Sequence, residues 1–295
     1  MPRPRLLFVH GRGQGEFDAR DLLDLWLQSL SIGFGALHED IPGDLEIDLP
    51  FYGARLDELL REEAGLPQFP QRHREHGPHF REFEHFQHAH VREVQERHGL
   101  TNEKLEALGN RPGQAPAIRG LPWVHSVLRA LDKIPGLSGE MLERLTHDVW
   151  LYMRDGSVRS SINAIVEADL VPGSHVVVVG HSFGSVIAYD ILRQRDDITV
   201  PLFVSLGSPL GIRSIRNGFE PLTHPKCVDS WFNAFDCRDI IAMYPLDEVT
   251  FPINPPVLNY DKVENRTTNA HGIFGYLSDP MVARTILDTL ARRIE

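Results

Sequence analysis

The stretch His175-Val-Val-Val-Val179-Gly180-His-Ser-Phe-Gly184 decides how this 295-residue chain is read. Four successive β-branched valines, apolar toward both sides, suit a strand buried on both faces, as in a parallel sheet covered by helices. The turn residues Val171-Pro-Gly-Ser precede the run, and Val186–Arg195 takes up a helical pattern after it. Between strand and helix, two glycines flank Ser182 at −2 and +2. In a sharp, strained turn these glycines remove Cβ atoms that would collide with neighbouring backbone. A helix N-terminus behind the serine aims free N–H groups at the place where negative charge would develop on a reacting carbonyl.

Working outward, the chain alternates between strand and helix signals. Leu6–Val9 is a short apolar run closed by the glycine-rich turn His10-Gly-Arg-Gly-Gln-Gly15. Residues 18–30 place Leu22, Leu23, Trp26, Leu27 and Leu30 on one helical face. Leu45–Leu49 alternates like a strand and stops at Pro50, and a helix is expected over Ala54–Glu63. From Glu140 to Leu170 the spacing is helical, with a break near Gly156. Strands follow at Val200–Leu206 and Val228–Phe235, and a C-terminal helix at Val282–Ile294. This alternation predicts a single α/β domain over residues 1–295, its sheet mostly parallel and covered by helices on both faces.

The rhythm breaks over residues 64–134, which read as a largely helical insertion. Seven of the fifteen histidines fall between His73 and His98. Phe80, Phe83, Phe86, His90, Val91 and Val94 mark one face of an amphipathic helix within it. That aromatic stripe is placed either to cap a binding pocket as a lid or to pack in the ordinary way, and the sequence leaves both open. His85, His88 and His90 raise the question of a metal. Only His85 and His88 share a helix face, no cysteine is near, and a solvated polar face is the better reading. No metal is expected.

Composition closes off several classes. A formal net charge of −11 argues against non-specific nucleic-acid binding, which needs a basic face, and against electrostatic attachment to anionic membranes. Cys227 and Cys237 flank an expected strand whose length holds them too far apart to bridge, so both are expected as reduced thiols. Leu6–Val9 is too short for a signal-peptide core or a membrane span, which points to a cytoplasmic protein with no stable membrane insertion. A dinucleotide cradle at residues 11–16 would need glycine where Glu16 stands.

The order of elements, with Gly180-His-Ser-Phe-Gly184 and His10-Gly11-Arg12, resembles the α/β-hydrolase family, especially its lipases and esterases. The resemblance covers most of the chain outside residues 64–134. It implies a serine, acid, histidine order along the chain, with Ser182 as nucleophile and no cofactor. It implies two oxyanion donors, the backbone N–H groups of Phe183 and of Arg12. The histidine of such a family lies after the last strand, where His271 stands in Asn269-Ala-His-Gly-Ile-Phe-Gly275. The acid follows a strand, and Asn233-Ala-Phe-Asp-Cys-Arg-Asp239-Ile-Ile offers Asp239 first and Asp236 as the alternative. The function implied is hydrolysis of a carboxylic ester, on a small-molecule or lipid substrate. A thioester, an amide or peptide, and acyl transfer remain open on the same triad. So, outside enzyme chemistry, does a hydrolase fold kept as a binding module.

Overall fold

A computed structural model describes residues 3–11, 18–63, 78–107, 121–133, 138–267 and 269–292. Its strands are β1 (Arg5–Val9), β2 (Glu46–Asp48), β3 (Val177–His181), β4 (Phe203–Leu206), β5 (Trp231–Ala234) and β6 (Leu258–Tyr260). They form one six-stranded sheet in the order β2-β1-β3-β4-β5-β6, and every neighbouring pair is parallel. Successive side chains of a strand point to opposite faces. Leu6 and Phe8 of β1 therefore join one apolar cluster, while Leu7 and Val9 join another on the far side. The valine run divides the same way, with Val177 and Val179 on the first face and Val178 on the second. Each fully buried aliphatic side chain contributes roughly 1.5–3 kcal/mol, which is why such strands read as continuous apolar runs.

Helices α1 (Ala19–Gly35), α2 (Gly53–Glu63), α3 (Pro78–Arg97), α4 (Asn102–Ala107), α5 (Leu121–Leu131), α6 (Gly139–Arg154), α7 (Gly156–Glu167), α8 (Phe183–Leu192), α9 (Arg213–Arg216), α10 (Ile273–Leu277) and α11 (Pro280–Ala291) complete the fold. On one face, α1 packs against α10 and α11 through Trp26, Leu30, Phe34, Leu277, Val282 and Ile286. Asp18 starts α1 by accepting the N–H of Arg20. The other face carries residues of α2 to α9. The expected break near Gly156 is real: Asp155 leaves α6 in an extended conformation and caps α7 by accepting the N–H groups of Ser157 and Val158.

Some boundaries differ from the sequence reading. The valine strand begins at Val177, and His175 makes only an isolated bridge to Thr199. Helix α8 begins at Phe183 rather than Val186, because the tight turn overrides the poor helix propensity of Gly184 and Ser185. Three elements outside residues 64–134 were not foreseen: the four-residue α9, β6, a three-residue edge strand with Leu258 and Asn259 exposed, and the five-residue α10. None is long enough to carry a periodic signal. Cys227 is buried, Cys237 is exposed, and both are free thiols.

Within residues 64–134 the described helices are α3, α4 and α5; residues 64–77, 108–120 and 134 lie outside the described set. Helix α3 packs against α5, α6 and α9. Phe83 meets His147 and Trp150 of α6 with ring centroids 5.2 Å apart in each case, so this part of the aromatic stripe is a packing surface. Nothing is described of the Phe80 side chain. The three clustered histidines do not converge: His85 is exposed, His88 stacks on Trp123 at 4.8 Å, and His90 is fully buried. Among the described residues no group of three His, Cys, Asp or Glu side chains is arranged to hold a metal ion. None of their helices is long and apolar enough to cross a membrane.

Both ring nitrogens of His90 are buried, and neither has a hydrogen-bond partner among the described residues. Burial pushes its pKa down to about 4. An unfolded histidine titrates near about 6.5, so as pH falls from there toward 4 the unfolded chain takes up a proton that the folded chain refuses. Stability is lost across that window. His90→Leu is expected to raise the unfolding free energy at pH 7.5 by about 1–3 kcal/mol, the cost of an unsatisfied buried polar group, and by more at pH 5. Urea unfolding at the two pH values checks this, and an equal effect at both would contradict it.

Candidate active site

Strands β1 and β3 are neighbours, and the chain leaves them toward opposite sides of the sheet, to β2 and to β4. In open parallel sheets the crevice beyond the carboxyl ends of two such strands is where ligands bind. His10 and Gly11 follow β1 there, and Ser182 follows β3. Ser182 has φ 54° and ψ −127°, a conformation costly for a residue with a Cβ and held only where its surroundings demand it. Those surroundings are close. A Cβ on Gly184 would run into the carbonyl oxygens of Val9 and His10, and one on Gly180 would sit 2.7 Å from the Cα of Ser185. The Ser182 N–H donates to the Leu206 carbonyl at 2.9 Å. The Ser185 hydroxyl donates to the Ser182 carbonyl at 2.6 Å.

His271 reaches this serine from the segment between β6 and α10. Its Nε2 lies 2.7 Å from Ser182 Oγ and its Nδ1 2.7 Å from Asp239 Oδ2. Asp239 sits in the loop after β5, and its Oδ1 accepts the Ile241 N–H at 2.8 Å. The carboxylate accepts a hydrogen bond from the N–H at Nδ1, which leaves Nε2 as an acceptor for the serine hydroxyl. Ser182, Asp239 and His271, named from motif and position, thus form one hydrogen-bonded line. All three are buried, at 3%, 2% and 7% exposure.

Asp236, the alternative acid, is occupied elsewhere. Its carboxylate accepts from the backbone and guanidinium of Arg238 and from the Asn265 N–H. Burial works to raise its pKa, but these hydrogen bonds outweigh it and hold the group below the usual aspartate value. Asn265 in turn donates to the carbonyls of Ala270 and Gly272, at 3.1 and 2.7 Å, on either side of His271. Asp236 therefore ties the loop of Asp239 to the loop of His271. Asn265 gave no signal in the sequence, being one amide in a polar loop.

The loop after β1 is anchored as firmly. His10 stacks on Tyr52 with centroids 4.0 Å apart; its Nε2 accepts the Tyr52 N–H at 3.3 Å and its Nδ1 donates to the Gly11 carbonyl at 2.8 Å. The Tyr52 hydroxyl donates to the His10 carbonyl. Burial pushes His10 down to about 4, so the ring is neutral and each nitrogen has a defined role. A Cβ on Gly11 would lie 3.0 Å from that of Ser182, so this loop abuts the Ser182 turn. Arg12, expected to offer the second oxyanion donor, lies outside the described residues. Phe183 occupies the first position of α8, where the backbone N–H has no partner within the helix.

Because Gly184 fits against the end of β1 without spare room, Gly184→Ala is expected to lower the unfolding free energy by about 1–3 kcal/mol. Its effect would be read by denaturant unfolding beside Gly156→Ala, a position with open space around it. Equal stability of the two variants would count against the tight fit.

No protein-family model matches the chain, and no solved structure does. A probable mitochondrial phospholipase of Schizosaccharomyces pombe is 28% identical over 107 residues, an alignment covering 28% of this chain and 14% of that protein's length.

Proposed function

We propose that this chain is a serine hydrolase of the α/β-hydrolase type, cleaving a carboxylic ester through an acyl-enzyme on Ser182. The observation that carries the reading is the line Ser182 Oγ, His271 Nε2, His271 Nδ1 and Asp239 Oδ2, with 2.7 Å at both hydrogen bonds. Its place at the crossover point of a parallel sheet, on a strained turn between a strand and a helix, supports the same reading.

In the proposed mechanism His271 takes the Ser182 proton as Oγ attacks the acyl carbon. Asp239 holds the ring in the required tautomer and stabilises it when charged. The Phe183 N–H, with that of Arg12, receives the oxyanion; each such donor is typically worth about 3–4 kcal/mol of barrier. The charged ring then protonates the leaving alcohol, and water releases the acyl group by the same steps in reverse order. The name of the partial relative favours a lipid ester as substrate. A thioester, an amide or an acceptor other than water would use the same groups.

Labelling by a fluorophosphonate probe tests this, because only a serine activated by a base and an oxyanion site reacts. Labelling of the folded protein is expected, with loss in Ser182→Ala and after heat denaturation. Absence of labelling in the folded protein, or labelling that survives in Ser182→Ala, would overturn the assignment. A comparison of phospholipid and short-chain esters then tests the substrate class, with faster turnover expected on the phospholipid.

A further inference from the structure

Asp239 Oδ2 accepts two hydrogen bonds. One comes from His271 Nδ1 at 2.7 Å, the other from the Tyr276 hydroxyl at 2.6 Å. Orienting an imidazole requires only the first. The tyrosine hydroxyl is itself held, since its oxygen accepts the Asp236 N–H at 3.2 Å and its single proton is left for Asp239. Tyr276 is fully buried on α10, within the same short segment as His271. Burial, reinforced by the charge of Asp239, raises its pKa well above 10, so it remains a donor. The junction is also sterically reserved. At Gly207, which ends β4 with φ 56°, a Cβ would lie 3.1 Å from Asp239 Oδ2, 3.2 Å from His271 Nδ1 and 3.2 Å from Tyr276 Cε2.

We propose that Tyr276 is a positioning residue acting through Asp239: its hydroxyl shares the charge on Oδ2 with His271 and so sets how strongly the carboxylate holds the charged imidazole. This rests on the hydrolase reading of the site. Among the described residues, the other titratable groups around the junction are His181, Asp236 and His10. His181, its ring 4.8 Å from that of His271 and 5.9 Å from that of Tyr276, is held well below the usual histidine range by burial and is neutral. Its Nε2 meets the His271 carbonyl at 2.8 Å, as a donor. Asp236 is paired with Arg238, and His10, beyond His181, is neutral. The charge on Asp239 Oδ2 is therefore shared between two donors, of which only the imidazole changes charge in the proposed mechanism. Hydrogen bonds to an ionised carboxylate are about twice as strong as neutral ones, so removing one leaves the other partner with a larger share.

The test is the rate of fluorophosphonate labelling as a function of pH for the wild type and Tyr276→Phe. Without the hydroxyl the charged form of His271 is favoured, so the midpoint of the acidic limb is expected to move to higher pH by roughly half a unit to one unit, one unit being tenfold in the proton equilibrium. A purely structural loss would lower the rate at every pH and leave the midpoint in place. If Tyr276→Phe does not fold, replacement of Tyr276 by 3-fluorotyrosine, a stronger donor of nearly the same shape, decides the matter, with the midpoint moving to lower pH. Wild-type labelling with unmoved midpoints in the folded variants would overturn the role of Tyr276 and leave the hydrolase reading intact. A folded wild type that labels at no pH would overturn both.

Discussion

The contact of Gly184 with the carbonyl oxygens of Val9 and His10 brings the ends of the two central strands together, and the site depends on it. A parallel sheet delivers all its strand ends to one edge but leaves neighbouring ends separated by a strand spacing of about 4.8 Å. Here the turn after β3 leans onto the end of β1, which needs a residue without Cβ at the contact and forces Ser182 into positive φ. The strain at Ser182 and the bare backbone at Gly184 are two sides of one arrangement. Two hydroxyl bonds and a backbone bond to Leu206 then keep the turn from relaxing.

The rest of the site is held by bonds between loops rather than within them. Asp236 and Asn265 lock the loop after β5 to the loop carrying His271, and both members are almost wholly buried. A buried network of this kind is firm when every group is satisfied, and here the carboxylate, the amide and the two flanking carbonyls all find partners. On the other side of the crevice, the His10–Tyr52 stack does the same for the loop after β1. Precision at the serine is thus supplied from both sides by residues that do not touch it.

How far the sequence could be read follows from the length of each signal. Four valines before a glycine–serine–glycine turn span a strand and a helix start, so that unit and the parallel α/β layout were legible. Asp239 and His271 were singled out through order along the chain and their flanking residues, with Asp236 of the same loop as the second choice. The structure separates them by partner: an imidazole for Asp239, a guanidinium for Asp236. Tyr276, Asn265 and Tyr52 were illegible because each bonds across loops, to Asp239, to Asp236 and to His10, and a single polar atom leaves no periodic trace. His90 shows the opposite limit. Its helical position marked it as inward-facing, but nothing local revealed that both ring nitrogens would be sealed without partners.

The packing of α10 and α11 on α1 has a temporal consequence. His271 stands immediately before α10, so its ring is carried to Ser182 by a segment whose apolar face is covered by a helix from the opposite end of the described chain. A growing polypeptide that has completed β5 already has the Ser182 turn and the Asp239 loop, but no imidazole beside the hydroxyl. On the proposed hydrolase reading, the pairing of Ser182 with His271 therefore waits on the packing of α10 and α11 against α1.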